Sequence, residues 1–372
     1  MIATVDASAL NKTLKKIQKY VPKGRPVECF GRIALVAAGN HLELHALNPG
    51  EFLHAIARID ATVTEEGAWT ADLKPLLAVK SARRGDDITL TGYGENLRVA
   101  ANGLTFHVPA TQGRFGGAEL LTPDMAQEIE LNEQDCAAFR HISPALSQDI
   151  TRPEFTGSRI DDGYAIATDG HRMHYGKVSG EVAGIIPGAI VRAIADNGPG
   201  RLSFLGKPNL EAHQACYRYT TNDGCFELTA REVAGTYLDF NAIIRFLGER
   251  GYHTMRIDAN ELRARVAPAI RGYYLADAHI AQHVCGIELR IGLFSQSSRE
   301  MLNEVSFVLA ADGEAPKMPI ILNAQYLLDA VARMDGLIEV AWLDADSPVF
   351  IGPDAPTYST INAVVMPKDP GI

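Results

Sequence analysis

The feature that most constrains the fold of this chain is a weak threefold repeat. Three times the sequence passes through an amphipathic helix, short alternating strands, a second helix and further strands. Periods of roughly 20 to 50 residues build solenoids, whereas a period of about 120 residues lets each copy bury its own core, so it marks duplicated domains. The 372 residues hold three such copies. The expected fold class is α+β, strand-rich, with antiparallel sheets and two helices per repeat.

In the first repeat Leu10, Leu14, Ile17 and Val21 recur at helical spacing, with Lys12, Lys15, Lys16 and Lys19 mainly on the opposite side. Alternation predicts strands over 32–37, 42–47 and 52–59. Asp72 is placed to cap a helix over 73–84. Strands over 88–93, 97–101 and 105–108 follow, with Ala101-Asn102-Gly103 as a hairpin signal. The Gly-rich stretch 113–127 reads as a linker. The second repeat has a strand over 128–131, a helix from Asn132, strands around 157–168 and a helix over 187–196. Residues 234–251 read as a connector with one short helical stretch. The third repeat has a strand over 253–257, helices over 258–271 and 323–335, and a last strand over 359–366. Pro268 falls inside its first helix and is expected to kink it.

Composition narrows the function. No run approaches the roughly 18 apolar residues of a membrane span. Residues 1–6 show no basic stretch leading into an apolar one, so no secretory signal is expected and the cytoplasm is the expected location. The five cysteines, Cys29, Cys136, Cys216, Cys225 and Cys285, are scattered without a CxxC pair, which points to buried thiols rather than disulfides or zinc. The formal charge is −10, which argues against nucleic acid unless the basic residues are concentrated in one place.

Motifs for chemistry are missing. The pairs Gly176-Lys177 and Gly206-Lys207 lack the rest of a phosphate loop, and Gly92-Tyr93-Gly94 lacks the third glycine of a dinucleotide fingerprint. His171 and His174 have metal-ligand spacing for a helix, yet they sit at a strand end and turn with Asp169 as the nearest carboxylate. His41 and His45 share a strand face and read as surface histidines. No cofactor and no metal are expected. An enzyme using His171 stays open as a third reading, because catalytic triads are spatial.

Several stretches are similar to a known family. Thr151-Arg152-Pro153, Thr156-Gly157 and Ala167-Thr168-Asp169-Gly170-His171-Arg172-Met173 resemble middle-domain motifs of the bacterial β sliding clamp, the β subunit of DNA polymerase III. Asn323-Ala324-Gln325-Tyr326-Leu327-Leu328-Asp329 resembles its third-domain helix, and Val364-Val365-Met366-Pro367 its C-terminal motif. Gly24-Arg25-Pro26 and Gly67-Ala68-Trp69 fit the first domain more loosely, and Leu47-Asn48-Pro49 replaces the family's usual aspartate. The resemblance implies three clamp domains, 1–118, 128–250 and 251–372, with 119–127 as a linker. It also implies a ring-shaped head-to-tail homodimer, helices lining the hole, and no catalytic activity.

That architecture answers the charge paradox. The six helices as placed by periodicity and caps (6–20, 72–84, 132–146, 187–197, 258–272 and 323–335) hold 14 Lys/Arg against 9 Asp/Glu, and the remainder holds 21 against 36. A basic lining in an acidic shell draws duplex inward. The DNA-facing residues implied are Lys12, Lys15, Lys16, Lys19, Arg25, Lys80, Arg83, Arg84, Gln148 and Arg263; the plainer reading of the lysines is a solvated helix face. Phosphate contact without base readout is expected. A groove for linear peptides of the polymerase and clamp loader is implied at Phe155, Thr168, Gly170, His171, Arg172, Met173, Leu238, Ile243, Tyr326, Val364, Met366 and Pro367. For Phe155, Val364 and Met366 the plainer reading is core packing. Leu238 stands where proline is common, Ala242 where arginine is common, and the tail from Lys368 to Ile372 departs from the family's short ending. The dimer contact is expected at Phe106, Val108 and Ile270, with Arg271 nearby.

The reading is therefore a processivity clamp of the cytoplasm, associated with the nucleoid, whose partners are double-stranded DNA, the polymerase, the loader and a second copy of itself. The alternative is a clamp-like paralogue, of plasmid, phage or repair origin, that keeps the ring but serves other partners.

Overall fold

A computed structural model describes residues 1–22, 31–79, 86–114, 125–206, 215–248, 251–272, 275–284, 286–295, 300–353 and 361–368. The chain forms two compact units, one of Met1–Glu130 with Pro199–Glu232, the other of Leu131–Gly198 with Val233–Ile372. The second repeat is thus shared between them.

The first unit is built on one thirteen-stranded sheet. Its order is Met125–Leu131, Gly200–Leu205, Cys216–Thr221, Phe226–Arg231, Leu53–Asp60, His41–Asn48, Arg32–Ala38, Gly67–Asp72, Leu104–Gln112, Asn96–Ala101, Asp87–Tyr93, Ile2–Asp6 and Thr62–Glu65. Alternation sets its faces: Leu42, Leu44 and Ala46 are fully buried, while His41 and Glu43 point the other way. Helix α1 (Ala7–Ile17) lays Leu10, Leu14 and Ile17 into the core and starts where Asp6 accepts the Ala9 N–H at 2.8 Å. The hairpin at Asn102-Gly103 has φ of 51° and 74°, the left-handed pair that a tight two-residue turn requires.

Three local expectations are corrected here. A strand, Ile2–Asp6, precedes α1; five residues are too few to show a period. Asp72 occupies the cap position of helix α2 (Leu73–Ala78) but makes no cap bond, because its carboxylate pairs with Arg32 at 3.0 Å. His45 is buried rather than superficial: it bonds Glu43 at 2.9 Å, and its Nδ1 lies 3.1 Å from Nε2 of His54. The His45 bond, with Arg58 beside it, holds the Glu43 carboxyl down to about 2 against the opposing effect of burial, and burial lowers His54 to about 4. Of the cysteines described, Cys136 is buried but Cys225 is exposed.

The second unit carries two antiparallel sheets. The larger runs Ile186–Pro187, Gly157–Asp161, Tyr164–Thr168, Arg172–Lys177, Ile361–Val365, Val349–Gly352, Leu337–Trp342, His253–Asp258 and Asp312–Gly313. The smaller runs Met301–Leu309, Gly286–Phe294, Leu275–His283 and Ile320–Asn323. Helix α3 (Glu133–Ile142) opens with a reciprocal capping box between Asn132 and Asp135. Helices α4 (Gly188–Asn197), α5 (Phe240–Gly248), α6 (Ala259–Ile270) and α7 (Ala324–Val331) complete the unit. Pro268 lies in the last turn of α6, where it removes one backbone bond, to the Ala264 carbonyl, and little helix follows it. No helix among the described residues is long and apolar enough to cross a membrane.

The joint between the second and third repeats is the ladder of Arg172–Lys177 with Ile361–Val365, in which Met173 faces Val364 and His174 faces Ala363. Beneath it two fully buried histidines stack, His141 on His174, with ring centres 4.8 Å apart. His174 Nδ1 donates to the carbonyl of His141 and His141 Nε2 to that of Asn362, each at 2.9 Å. The remaining nitrogens, Nδ1 of His141 and Nε2 of His174, have no partner. Burial therefore lowers His141 to about 4 and His174 well below its usual range. Folding favours the neutral rings, so their stability contribution is complete above the unfolded value near 6.5 and is lost as the pH falls from there toward 4 and below. Imidazole nitrogen NMR at pH 5 is expected to show both rings neutral, His174 protonated on Nδ1 and His141 on Nε2, and the melting temperature is expected to drop across that window.

Candidate functional site

The segment from Thr168 to Arg172 is a turn closed by its own side chains. Thr168 Oγ1 donates to the Arg172 carbonyl at 2.7 Å and accepts the Gly170 N–H at 3.1 Å. Asp169 Oδ1 accepts the N–H groups of His171 and Arg172 at 3.0 and 3.1 Å. Gly170 has φ of 89°, which a side-chain-bearing residue adopts only with strain. The conspicuous Ala-Thr-Asp-Gly-His-Arg run is thus the sequence of a rigid turn.

Arg172 anchors this turn. Its Nε pairs with Asp169 Oδ2 at 3.0 Å, one terminal nitrogen bonds Asp329 on α7, the other donates to the Pro144 carbonyl, and the plane lies 4.1 Å over the ring of Tyr326. A guanidinium is suited to this because its donors lie fixed in one plane.

Beside the turn lies a groove of about 510 Å³ lined by Phe155, Thr168, Gly170, Arg172, Met173, Leu238, Ala242, Ile243, Pro348, Val364 and Met366. Met173 and Val364 form a buried floor, continuous with Tyr175, Tyr237, Phe240 and Phe350 beneath. Phe155 meets Tyr237 edge-on at 6.1 Å, and Tyr237 donates to the Ile166 carbonyl at 3.1 Å. Burial raises the Tyr237 phenol, which keeps it a neutral donor. Met366, 42% exposed, stands at the rim. Such a lining takes up apolar side chains; its polar side chains, Thr168 and Arg172, are occupied in holding the turn.

Nine of the twelve sequence-derived groove residues line this space. The other three adjoin it: Tyr326 lies under Arg172, Pro367 follows Met366, and the carbonyl of His171 accepts the Met366 N–H at 2.9 Å. His171 is exposed and His174 buried, so the two do not converge, and among the described residues no cluster of three His, Cys, Asp or Glu is placed to hold a metal. Pro348 escaped the sequence reading, since no local pattern marks a loop residue that reaches the groove through strand pairing of Val349–Gly352.

The candidate DNA face is partly revised. Lys12 and Lys15 are exposed on α1 and Lys19 on the turn that follows it, and Lys15 lines a groove with Asn11, Gln18, Lys74, Leu77 and Ala78. Lys74 is an addition that the sequence reading passed over. Lys16 instead lies 4.2 Å over the Phe226 ring. Arg263 is also turned inward: its guanidinium donates to the Val331 and Met334 carbonyls at the end of α7 and pairs with Asp335 at 2.9 Å. Gln148 is exposed on the loop after α3. Arg25, Lys80, Arg83 and Arg84 lie outside the described residues.

The expected dimer residues are likewise revised. Val108 is 1% exposed and Ile270 6%, both inside their own units, and Phe106 is half-buried. Exposed apolar surface lies instead on Met301–Leu309, where Met301, Leu302, Val305 and Val308 stand out, and at Leu104. That strand pairs with Gly286–Phe294 on one side and is the edge of its sheet.

No protein-family model matches the chain, and no curated protein matches it in sequence. Solved structures do match, over the full length. A sliding clamp (DNA polymerase III subunit β) from Bartonella birtlesii, bound to griselimycin, superposes with a TM-score of 0.78 at 18% identity, covering 99% of each chain. The corresponding clamp from Pseudomonas aeruginosa, also bound to griselimycin, gives 0.76 at 19%, again over 99% of each chain. The β sliding clamp of Caulobacter crescentus gives 0.76 at 20%, with the same coverage.

The chain has the bacterial sliding-clamp fold.

Within this clamp fold, the groove and its turn depend on Arg172. Replacing it with alanine leaves the carboxylates of Asp169 and Asp329 without their shared counter-charge in a largely buried setting. Arg172→Ala is expected to cost on the order of 3 kcal/mol in urea unfolding, with Arg172→Lys recovering only part, because one ammonium cannot reach all four partners.

Proposed function

We propose that this chain is a DNA sliding clamp, a processivity factor without catalytic activity of its own. It encircles duplex DNA as a head-to-tail ring of two copies and tethers a replicative polymerase, and in turn the clamp loader, through linear peptides held in the groove. The observation that carries this reading is the apolar groove beside Arg172, found in a chain with the clamp fold over 99% of its length. A fold alone supports many functions, and the groove supplies the site. Its buried Met173 and Val364 and its flanking Phe155, Leu238 and Ile243 suit the apolar anchors of a short peptide.

In this reading the chain comprises clamp domains 1–118, 128–250 and 251–372, the first two joined at 119–127. Lys12, Lys15, Lys19 and Lys74 face the duplex, with Gln148 at a second contact. These groups meet phosphates and read no bases, so binding is sequence-independent and falls with salt. The acidic remainder repels duplex from the outer surface. The location is the cytoplasm, at the nucleoid.

Self-association joins the first domain of one copy to the third of the other. The exposed apolar edge Met301–Leu309 supports this contact, since an unpaired hydrophobic edge is a template for another strand, and Leu104 adds exposed apolar surface in the first domain. Light scattering at low micromolar concentration is expected to give about 80 kDa, two chains of 40.3 kDa. Leu302→Asp with Val305→Asp is expected to shift the mass to one chain. A wild-type monomer at every concentration contradicts the ring.

A specialised paralogue serving other partners is the second reading. Leu238 and Ala242 favour it, because both line the groove where the family commonly has proline and arginine. A fluorescent peptide bearing the clamp-binding motif of a bacterial replicative polymerase separates the two. Micromolar binding, weakened at least tenfold by Met173→Asp, supports the replicative clamp; a dimer that ignores the peptide supports the paralogue.

A further inference from the structure

The tail beyond Pro367 departs from the family's ending, and its first residue, Lys368, is held by both its backbone and its side chain. The last strand, Ile361–Val365, extends its ladder by one bond, from the Met366 N–H to the His171 carbonyl at 2.9 Å. Two residues on, the Lys368 N–H donates to the Ile321 carbonyl at 2.8 Å, and Lys368 Nζ reaches Asp277 Oδ1 at 2.5 Å. Asp277 lies on Leu275–His283, paired opposite Asn323, so both attachments are on the smaller sheet of the same unit. Met366, Pro367 and Lys368 thus form a strap with both ends fastened. Pro367 in its middle has a restricted φ and no N–H to satisfy. Met366, which carries the first fastening, is a rim residue of the groove.

We propose that Lys368 is a positioning residue for the groove: its ion pair with Asp277 fixes the strap and so presets where Met366 meets a bound peptide. This rests on the peptide-groove reading. A rim held in place before binding spares the ordering that a free chain end must undergo, and that saving appears as affinity. The Lys368 side chain is 41% exposed and that of Asp277 18%, so the pair is only half-shielded from water. A pair of that kind shifts affinity by up to about fivefold, not by orders of magnitude.

The test uses the full-length dimer and the fluorescent peptide described above, with affinity read by anisotropy. Lys368→Met and Asp277→Asn are each expected to raise Kd about two- to fivefold, through faster dissociation, at an unchanged melting temperature. The double variant is expected to lose no more than either single one, and Lys368→Arg to bind as the unaltered protein. In about 1 M salt, where screening acts over roughly 3 Å, the gap between unaltered protein and single variants is expected to shrink. Equal affinity in all variants, or losses that add in the double variant, overturns the proposal while leaving the groove reading intact. Failure of the unaltered protein to bind the peptide overturns the groove reading and the strap's role with it.

Discussion

A guanidinium placed where water hardly reaches must have its charge answered by the protein, and the second unit is arranged to answer that of Arg172. Asp169 meets it from its own turn, Asp329 and Tyr326 from helix α7, and the Pro144 carbonyl from the turn just after α3. The partners come from three parts of the unit, so satisfying one cation fixes those three relative to one another. The groove follows from this, because the turn carrying Thr168 and Gly170 is held open beside Met173. Charged groups in such positions add little net stability compared with well-packed apolar residues, but losing one partner is costly. The pairing therefore acts as a determinant of geometry.

The same economy governs the joint beneath. The His141 and His174 rings fill the space between α3 and the ladder, and each spends one N–H on a backbone carbonyl. Gly352 leaves room for the neighbouring Asn362 side chain: a Cβ there would come within 1.6 Å of its Oδ1. Strands of the second and third repeats run as neighbours in one sheet, and the floor residues Met173 and Val364 come opposite each other although they are far apart in sequence.

Much of this was legible in the chain. Helix α1 announced itself through Leu10, Leu14 and Ile17, and the hairpin at Asn102-Gly103 through residues that tolerate positive φ, because in both the local physics matches the final structure. Most of the groove was legible through resemblance rather than period, since its residues come from five separated segments. What stayed hidden was decided by tertiary partners. Nothing local shows that Asp72 is drawn to Arg32, that Lys16 lies over Phe226, or that Arg263 turns in to close the end of α7. Likewise Val108 and Ile270 look like interface residues in sequence, but an apolar residue on an alternating strand or helix reads the same whether its own core or a partner covers it. The apolar edge at Met301–Leu309 was overlooked for the converse reason: its exposure depends on where its sheet ends.

The proposed function reduces to one claim, that a ring of this fold would hold DNA by topology and not by grip. Its net charge of −10 disfavours tight binding to phosphates, while a closed ring with a few lysines inside needs none. The most direct measurement is retention on nicked circular duplex, loaded at high protein concentration so that rings open and reclose, then washed in high salt. The account predicts that the protein stays on the circle and is released when a single cut makes it linear. Equal loss from circular and linear DNA, or retention that tracks salt alone on both, contradicts it.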